Sequence, residues 1–346
     1  MASNAKRTKR IVPRRRARVF IFGAGVSASC GIPVSKDLLR ESISALGRED
    51  SAKARQVHNL LTQLYPGFDE GYRTYPNIED FLNLLETAKA VPSKGFIGST
   101  PWSEDDLRSA KKITLKAVTD YLWTAVQKKN KLQCLRQFAE RELKINDVLI
   151  TFNWDVTFER VWEEDMNGEI DYQYSKGGSS ASIFLLKPHG SIDWFKNSDL
   201  PRDRKGTDLT ELDEKISAFP YFDFRHHPGL FKKQPIIVPP VTAKEFNYPY
   251  LKETWQSVYK AVANATELQI IGYSLPEEDQ YARLMLRLAL RANNLAVEKK
   301  RKLPLKVLVV NPDRSVMFSL SRLLESSPRE VRFLQAYFHD YVAGLS

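Results

Sequence analysis

The chain alternates between short runs of consecutive apolar residues and longer stretches in which apolar residues recur every three to four positions. Runs of three to five apolar residues are too short for a buried helix and predict buried strands. Such runs, some interrupted or flanked by a single polar residue or glycine, occur at Val19-Phe20-Ile21-Phe22, at 148–152, 183–186, 236–238 and 268–272, and at 306–310. Helical periodicity predicts helices over 34–46, ended by Gly47, and over 52–64, broken by Pro66-Gly67. A third runs over 77–89, capped by Asn77 and closed off before Pro92. The stretch 103–143 reads as two helices meeting near Asn130, and further helices are predicted over 156–164, 246–264 and 315–324. Pro276 is expected in the first turn of another, with Glu277, Glu278 and Asp279 set against its dipole.

Nothing strand-like falls between Phe22 and Asp147, so the first crossover is expected to be a helical insertion, about 48–145. The polar stretch 195–234 predicts a long loop. The fold class expected is α/β, a Rossmann-like parallel sheet with helices on both faces plus the helical insertion after the first strand. It comprises a body over 18–346 preceded by a basic flexible arm over 1–17.

Charge changes this picture only at the N-terminus. The net charge is +10, yet eight of the 52 basic residues lie in residues 1–18 with no acid among them. Removing them leaves 44 bases against 42 acids, so the body is close to neutral and nucleic-acid binding is expected only through the arm. With 42% hydrophobic and 27% charged residues and no apolar run near membrane length, no membrane partner is expected. The basic N-terminus is followed by charge and not by an apolar leader, which points to a cytoplasmic protein.

The only two cysteines, Cys30 and Cys134, are remote in sequence and cannot build a zinc ribbon or a disulfide framework, so no metal is expected. Adjacent His226 and His227 lack the spaced acids or thiols of a metal site and read as solvated. His58 and His339 on amphipathic segments, and Trp123, Tyr121, Trp255 and Tyr259 at helical spacing, read as structural.

Chemistry concentrates where the strands end. After the first strand, Gly23-Ala24-Gly25 permits a tight turn and close approach of a ligand, with Ser27 and Ser29 as candidate caps of the following helix. A strand, a glycine turn and a helix N-terminus form a phosphate site. Gly23, Gly25 and Ala28 also match the dehydrogenase pattern, but that reading needs a second strand ending in an acid about 20 residues on. Here that region holds Glu41 in a predicted helix and Asp50 in a polar linker, so the dehydrogenase reading fails. Four later strand ends are polar: Thr151-Phe152-Asn153-Trp154-Asp155, Lys187-Pro188-His189-Gly190-Ser191, Gly272-Tyr273-Ser274 and Asn311-Pro312-Asp313. In a parallel sheet such ends share one edge, where ligands bind. Taken singly, Asn153 and Asp155 also suit an Asx turn, and His189 suits a structural role.

As an ordered set, these segments resemble the sirtuin family, and within it the branch of bacterial antiphage defence effectors that lacks the zinc module. Gly23-Ala24-Gly25-Val26-Ser27 followed by Gly31-Ile32-Pro33 resembles the phosphate loop GAGxSxxxGIP. Thr151 to Asp155 resembles TQNxD with Phe for Gln, His189-Gly190 the catalytic HG, Gly272-Tyr273-Ser274 the GTS, and Asn311 the adenosine-ribose Asn. The resemblance spans about residues 18–313. The deacylases' four zinc cysteines are missing, and Val34-Ser35-Lys36 replaces their Asp-Phe-Arg, so an acetyl-lysine clamp is not expected.

The resemblance implies an NAD+ hydrolase that forms nicotinamide and ADP-ribose and defends by NAD+ depletion. It assigns Asn153, His189 and Asp155 to catalysis, and Gly23, Ala24, Gly25, Ser27, Gly272, Ser274 and Asn311 to NAD+ binding. It also implies a homo-oligomer controlled by assembly, by a partner such as a DNA-translocating ATPase, or by a phage-derived trigger. An NAD-dependent deacylase or ADP-ribosyltransferase, and a non-catalytic NAD or ADP-ribose sensor, remain the alternatives.

Overall fold

The structure, a computed structural model, describes residues 17–69, 71, 74–89, 102–128, 131–172, 174, 182–200, 207–208, 216–218, 233–239, 249–300, 302–324 and 330–345. The arm up to residue 16, Pro92, Asn130, His226 and His227 lie outside them. Strands are β1 (Arg18–Phe22), β2 (Val148–Thr151), β3 (Glu169–Asp171), β4 (Ser182–Leu186), β5 (Trp194–Lys196), β6 (Thr207–Asp208), β7 (Ile216–Ala218), β8 (Glu267–Ile271), β9 (Lys306–Val310) and β10 (Glu330–Leu334). Helices are α1 (Ala24–Ser29), α2 (Ser35–Glu49), α3 (Ser51–Leu64), α4 (Ile78–Lys89), α5 (Glu104–Val126), α6 (Gln133–Glu142), α7 (Thr157–Glu159), α8 (Pro249–Asn264), α9 (Gln280–Glu298), α10 (Arg314–Leu324) and α11 (Phe338–Ala343).

Seven strands form one parallel sheet in the order β10-β9-β8-β1-β2-β4-β3. The apolar runs are continuous because both faces are covered. Val19, Ile21, Ile150, Ile270 and Val309 pack with α8, α9 and α10, through Val258, Leu286 and Leu320 among others. Phe20, Phe22, Leu149, Leu185 and Ile271 point the other way, onto α6 and α11. There Phe138 sets its ring edge-on to Phe20 and Phe22, with centroids 5.8 and 5.5 Å away. The α/β sheet with helices on both faces is therefore present. Helices α2 to α5 build a separate apolar cluster around Leu39, Val57, Phe81, Leu85, Val118 and Trp123. This helical layer starts at residue 35, earlier than the expected 48, and α6 belongs to the sheet's covering.

Several expectations are corrected. Helix α2 passes through Gly47 to Glu49; the stop is at Asp50, whose N–H closes the last turn on Leu46 O while its side chain caps α3 at the Lys53 amide. After α7 the helix expected to run regularly to 164 widens into a π-type turn over Arg160–Asp165, where buried Arg160 donates to the Val126 carbonyl. The segment 195–234 is not simply a loop. It contains β5, β7 and β6 as a three-stranded antiparallel sheet with Trp194, Phe195, Ile216 and Ala218 buried, although much of the stretch lies outside the described residues. Among the described residues, 236–238 form an isolated bridge, Ile237 to Gly190, in place of the expected strand. Helix α9 begins at Gln280, after Pro276, with Asp279 as its cap. Strands β3 and β10 were missed because they are partly exposed edges. Trp123 and Trp255 are buried as expected, while His58 contacts the Tyr75 hydroxyl at 2.7 Å. Among the described residues no helix is long and apolar enough to cross a membrane.

Candidate functional site

The chain leaves β1 towards β2 and later returns to β8 on the opposite side of β1, which creates a topological switch point between the carboxyl ends of β1 and β8. Two glycine turns meet there. The Gly23 N–H donates to Ile271 O at 3.1 Å and the Gly25 N–H to Gly272 O at 2.9 Å. Gly272 has φ +62°, and a Cβ on it would lie 2.8 Å from Gly25 Cα and from Val26 N. The glycines are therefore needed for backbone-to-backbone packing as well as for any ligand.

The expected capping of the helix by Ser27 or Ser29 is corrected. Helix α1 starts directly after Gly23, and Ser27 and Ser29 lie inside it without capping it. Two of its first amides are already bonded, Gly25 N–H to Gly272 O and Val26 N–H to Gly23 O.

Ser27 turns into the site. Its hydroxyl donates to Asp155 Oδ2 at 2.7 Å and accepts from Asn153 Nδ2 at 2.8 Å, and the second Asn153 amide hydrogen goes to Gly23 O at 2.9 Å. The Asn153 donors are thus both committed, which orients its Oδ1 as an acceptor. Asp155 Oδ1 accepts from the Thr157 amide at 3.0 Å and from the Thr157 hydroxyl, so it does form the Asx turn that opens α7. Beneath it, fully buried Lys187 donates to Asp155 O at 2.7 Å and to Glu159 Oε1 at 2.5 Å. Burial, opposed by Lys187, pushes the Glu159 carboxyl up.

His189 is buried at the end of the β4 segment, its Nε2 2.8 Å from Asp279 Oδ2. The other Asp279 oxygen accepts from the Ala282 amide at 3.2 Å as the cap of α9. The imidazole is walled by Phe152 (centroids 5.1 Å) and Trp255 (6.0 Å), while Phe152 stacks on Tyr273 at 4.4 Å and 10°. Next to it Gly190, at φ +74°, leaves room for Ile236 O. Asn311 Oδ1 accepts from the Asp313 amide at 3.0 Å and its Nδ2 donates to Tyr273 O at 3.5 Å.

All these strand ends line one cavity of about 480 Å³, a size suited to a small molecule or cofactor. Asn153, Asp155, His189, Gly23, Ala24, Gly25, Ser27, Gly272, Ser274 and Asn311 all border it. Sequence reasoning missed part of its wall. Lys36 and Ser35 of α2, Glu79 of α4 and Leu122 of α5 close it from the helical layer, and Asp279, Phe152 and Tyr273 join from the sheet edge.

Ser35 Oγ donates to Glu79 Oε1 at 3.0 Å. Burial, opposed by that bond and reinforced by Asp279, Glu278 and Asp80, pushes the Glu79 carboxyl up to about 7. Burial first, then Asp279 and Glu79, raises the Tyr273 phenol well above its usual range. The Cys134 thiol, remote in sequence from Cys30, donates to the carbonyl of the adjacent Ser29 at 3.7 Å, and the neighbouring Cys134 thiol together with burial holds the Cys30 thiol high. Among the described residues no group of three His, Cys, Asp or Glu side chains could hold a metal ion. No protein-family model matches the chain, and no curated protein matches it.

Proposed function

We propose that this chain is an NAD+ hydrolase that releases nicotinamide and ADP-ribose, acting as an antiphage effector by NAD+ depletion. The observation that carries this reading is the convergence of five segments, far apart in sequence, on one cavity at the switch point of a parallel sheet. The order and residue types of those segments are those of the sirtuin-like resemblance.

In this reading the dinucleotide lies across the β1–β8 crevice, its pyrophosphate over Gly23 to Ser27 and its adenosine beside Gly272, Ser274 and Asn311. Cleavage of the N-glycosidic bond expels neutral nicotinamide, so no strong acid has to protonate the leaving group. Asn153, its amide hydrogens held by Gly23 and Ser27, offers Oδ1 to a ribose hydroxyl or to the attacking water. Asp155, fixed by Ser27 and Thr157, and the local backbone hold the carboxamide. His189 takes the proton from a ribose hydroxyl or from the water, with Asp279 fixing its orientation. Because unchecked hydrolysis would exhaust the cell, activity is under the control of assembly, a partner ATPase or a phage-derived trigger.

The test is incubation of the purified protein with NAD+, with and without an acetylated peptide, following nicotinamide and ADP-ribose. Equal release of both products without peptide is expected. Turnover that requires the peptide would identify a deacylase or transferase, and tight binding without turnover either a sensor or an effector that lacks its trigger.

A further inference from the structure

Helix α9 has two faces of different character. Ala282, Leu286, Ala289, Leu290 and Asn293 are buried on its inner side, while Leu284, Leu288 and Leu295 on its outer side are 52%, 46% and 43% exposed. At about 100° per residue the three exposed leucines fall within an arc of about 40° and a length of about 17 Å. They form one continuous stripe, and an exposed apolar stripe of this kind marks an interaction surface where a single exposed leucine would not. Exposed Arg287 and Arg291 run along one side of it. Helix α9 has no acid before Glu298, its last residue, and α10, which packs beside it, has none. On α10 the same pairing recurs, with Phe318 72% exposed and Arg322 one turn further on.

We propose that the outer face of α9 is a docking site for an amphipathic helix of a partner protein, one with leucine-type anchors on one side and acidic residues along its flank. Charge complementarity selects this occupant. The leucine stripe spans about three helical turns, the length over which a docked helix presents successive anchors. Acids on the flank of that helix meet Arg287 and Arg291, whose planar guanidinium groups pair with carboxylates through two parallel bonds. A second copy laid on the same face would oppose arginine to arginine with no acid between them, and like charges facing each other across an interface are costly. The chain's own N-terminal arm is repelled on the same ground, since residues 1–18 carry bases and no acid. A phosphate backbone would satisfy the arginines and leave the leucine stripe uncovered. Occupancy of this face has a route to the cavity, because Leu284 lies in the second turn of the helix whose cap, Asp279, holds His189. The docking face stands independently of the NAD+ reading.

The experiment uses the full chain and two fluorescein-labelled, stapled helical peptides of about 18 residues, long enough to hold a helix once stapled. Both carry leucine at i, i+4, i+7 and i+11; one has glutamate along its flanks and the other lysine. Fluorescence anisotropy is expected to show the glutamate peptide binding at least about tenfold more tightly than the lysine peptide, with the gap narrowing at high salt. Leu288→Ser is expected to weaken the glutamate peptide about tenfold, and Arg287→Glu with Arg291→Glu to reverse the preference between the two peptides. All three positions are on the surface, and an unchanged thermal midpoint checks that the variants fold. Failure of the glutamate peptide to bind, equal binding of both peptides, or binding indifferent to Leu288→Ser overturns the proposal. Sedimentation of the parent that shows self-association abolished by Leu288→Ser would assign the face to a second copy instead. Binding of phosphatidylserine vesicles without binding of the glutamate peptide would assign it to a membrane, and either result overturns the proposal.

Discussion

Replacing Gly272 by Ala tests whether the two glycine turns hold the site together. The residue sits at φ +62°, where a side chain costs about 1–2 kcal/mol. Its Cβ would lie 2.8 Å from Gly25 Cα and Val26 N, about 0.6 Å closer than ordinary contact begins, and both neighbours are backbone. The turns must part, stretching the 2.9 Å bond from Gly25 N–H to Gly272 O for a loss of about 1 kcal/mol. Residual overpacking adds about 1–2 kcal/mol, for a total near 3–5 kcal/mol.

The companion substitution is Gly47→Ala inside α2, where a Cβ meets Ala54 Cβ at an ordinary 3.7 Å. There the same change stabilises by about 0.5–1 kcal/mol through helix propensity. Urea unfolding followed by tryptophan fluorescence reads both, and carba-NAD+ calorimetry reads the site. Opposite signs are expected, with ligand binding lost only in Gly272→Ala. A Gly272→Ala protein within 1 kcal/mol of the parent that binds normally would show that the turns are not the constraint described here.

Asn153→Ala and His189→Ala are expected to abolish NAD+ loss while leaving the circular dichroism spectrum of the parent; turnover at the parent's rate in both refutes the site assignment. Lys187→Met leaves Glu159 buried without its cation and is expected to cost about 3 kcal/mol in chemical denaturation at pH 8, less at pH 5 where the carboxyl is protonated. Glu79 has a folded pKa of about 7, above its unfolded value, so its contribution is complete below the unfolded pKa and is lost as pH rises through 7. Chemical denaturation from pH 5 to 8 is expected to show a decline of about 2–3 kcal/mol from this group that Glu79→Gln removes; identical pH profiles in parent and variant contradict it.

The central strands were legible because burial on both faces imposes an unbroken apolar run, and their polar ends were legible because a parallel sheet collects them on one edge. Strand β10 was not, since Val331 and Phe333 alternate with Glu330 and Arg332 on a half-exposed edge, which resembles many other polar stretches. Gly47 misled because a helix interior tolerates one glycine when Asp50 supplies the stop. Glu79 drew no separate reading within the helix predicted over 77–89, and Asp279 read as one of three acids near a helix start. Only the packing of the helical layer over the sheet edge, and the 2.8 Å approach of Asp279 to His189, give them another role. Sequence spacing carries no signal for such pairs, and the same is true of Cys30 and Cys134.

The placement of β1 also governs how the chain is made. Val19 pairs with Val148 on one side and Leu268 on the other, 129 and 249 residues downstream. At roughly 5–20 residues per second of synthesis, the strand waits on the order of 10–50 s for its second neighbour to leave the ribosome. Helices α2 to α5 form their own apolar cluster and can fold in that interval, but Val19-Phe20-Ile21-Phe22 cannot be buried until β8 arrives. During that interval an apolar central strand is an open edge, so the nascent chain depends on chaperone cover or on the already folded helical layer to keep it from pairing elsewhere.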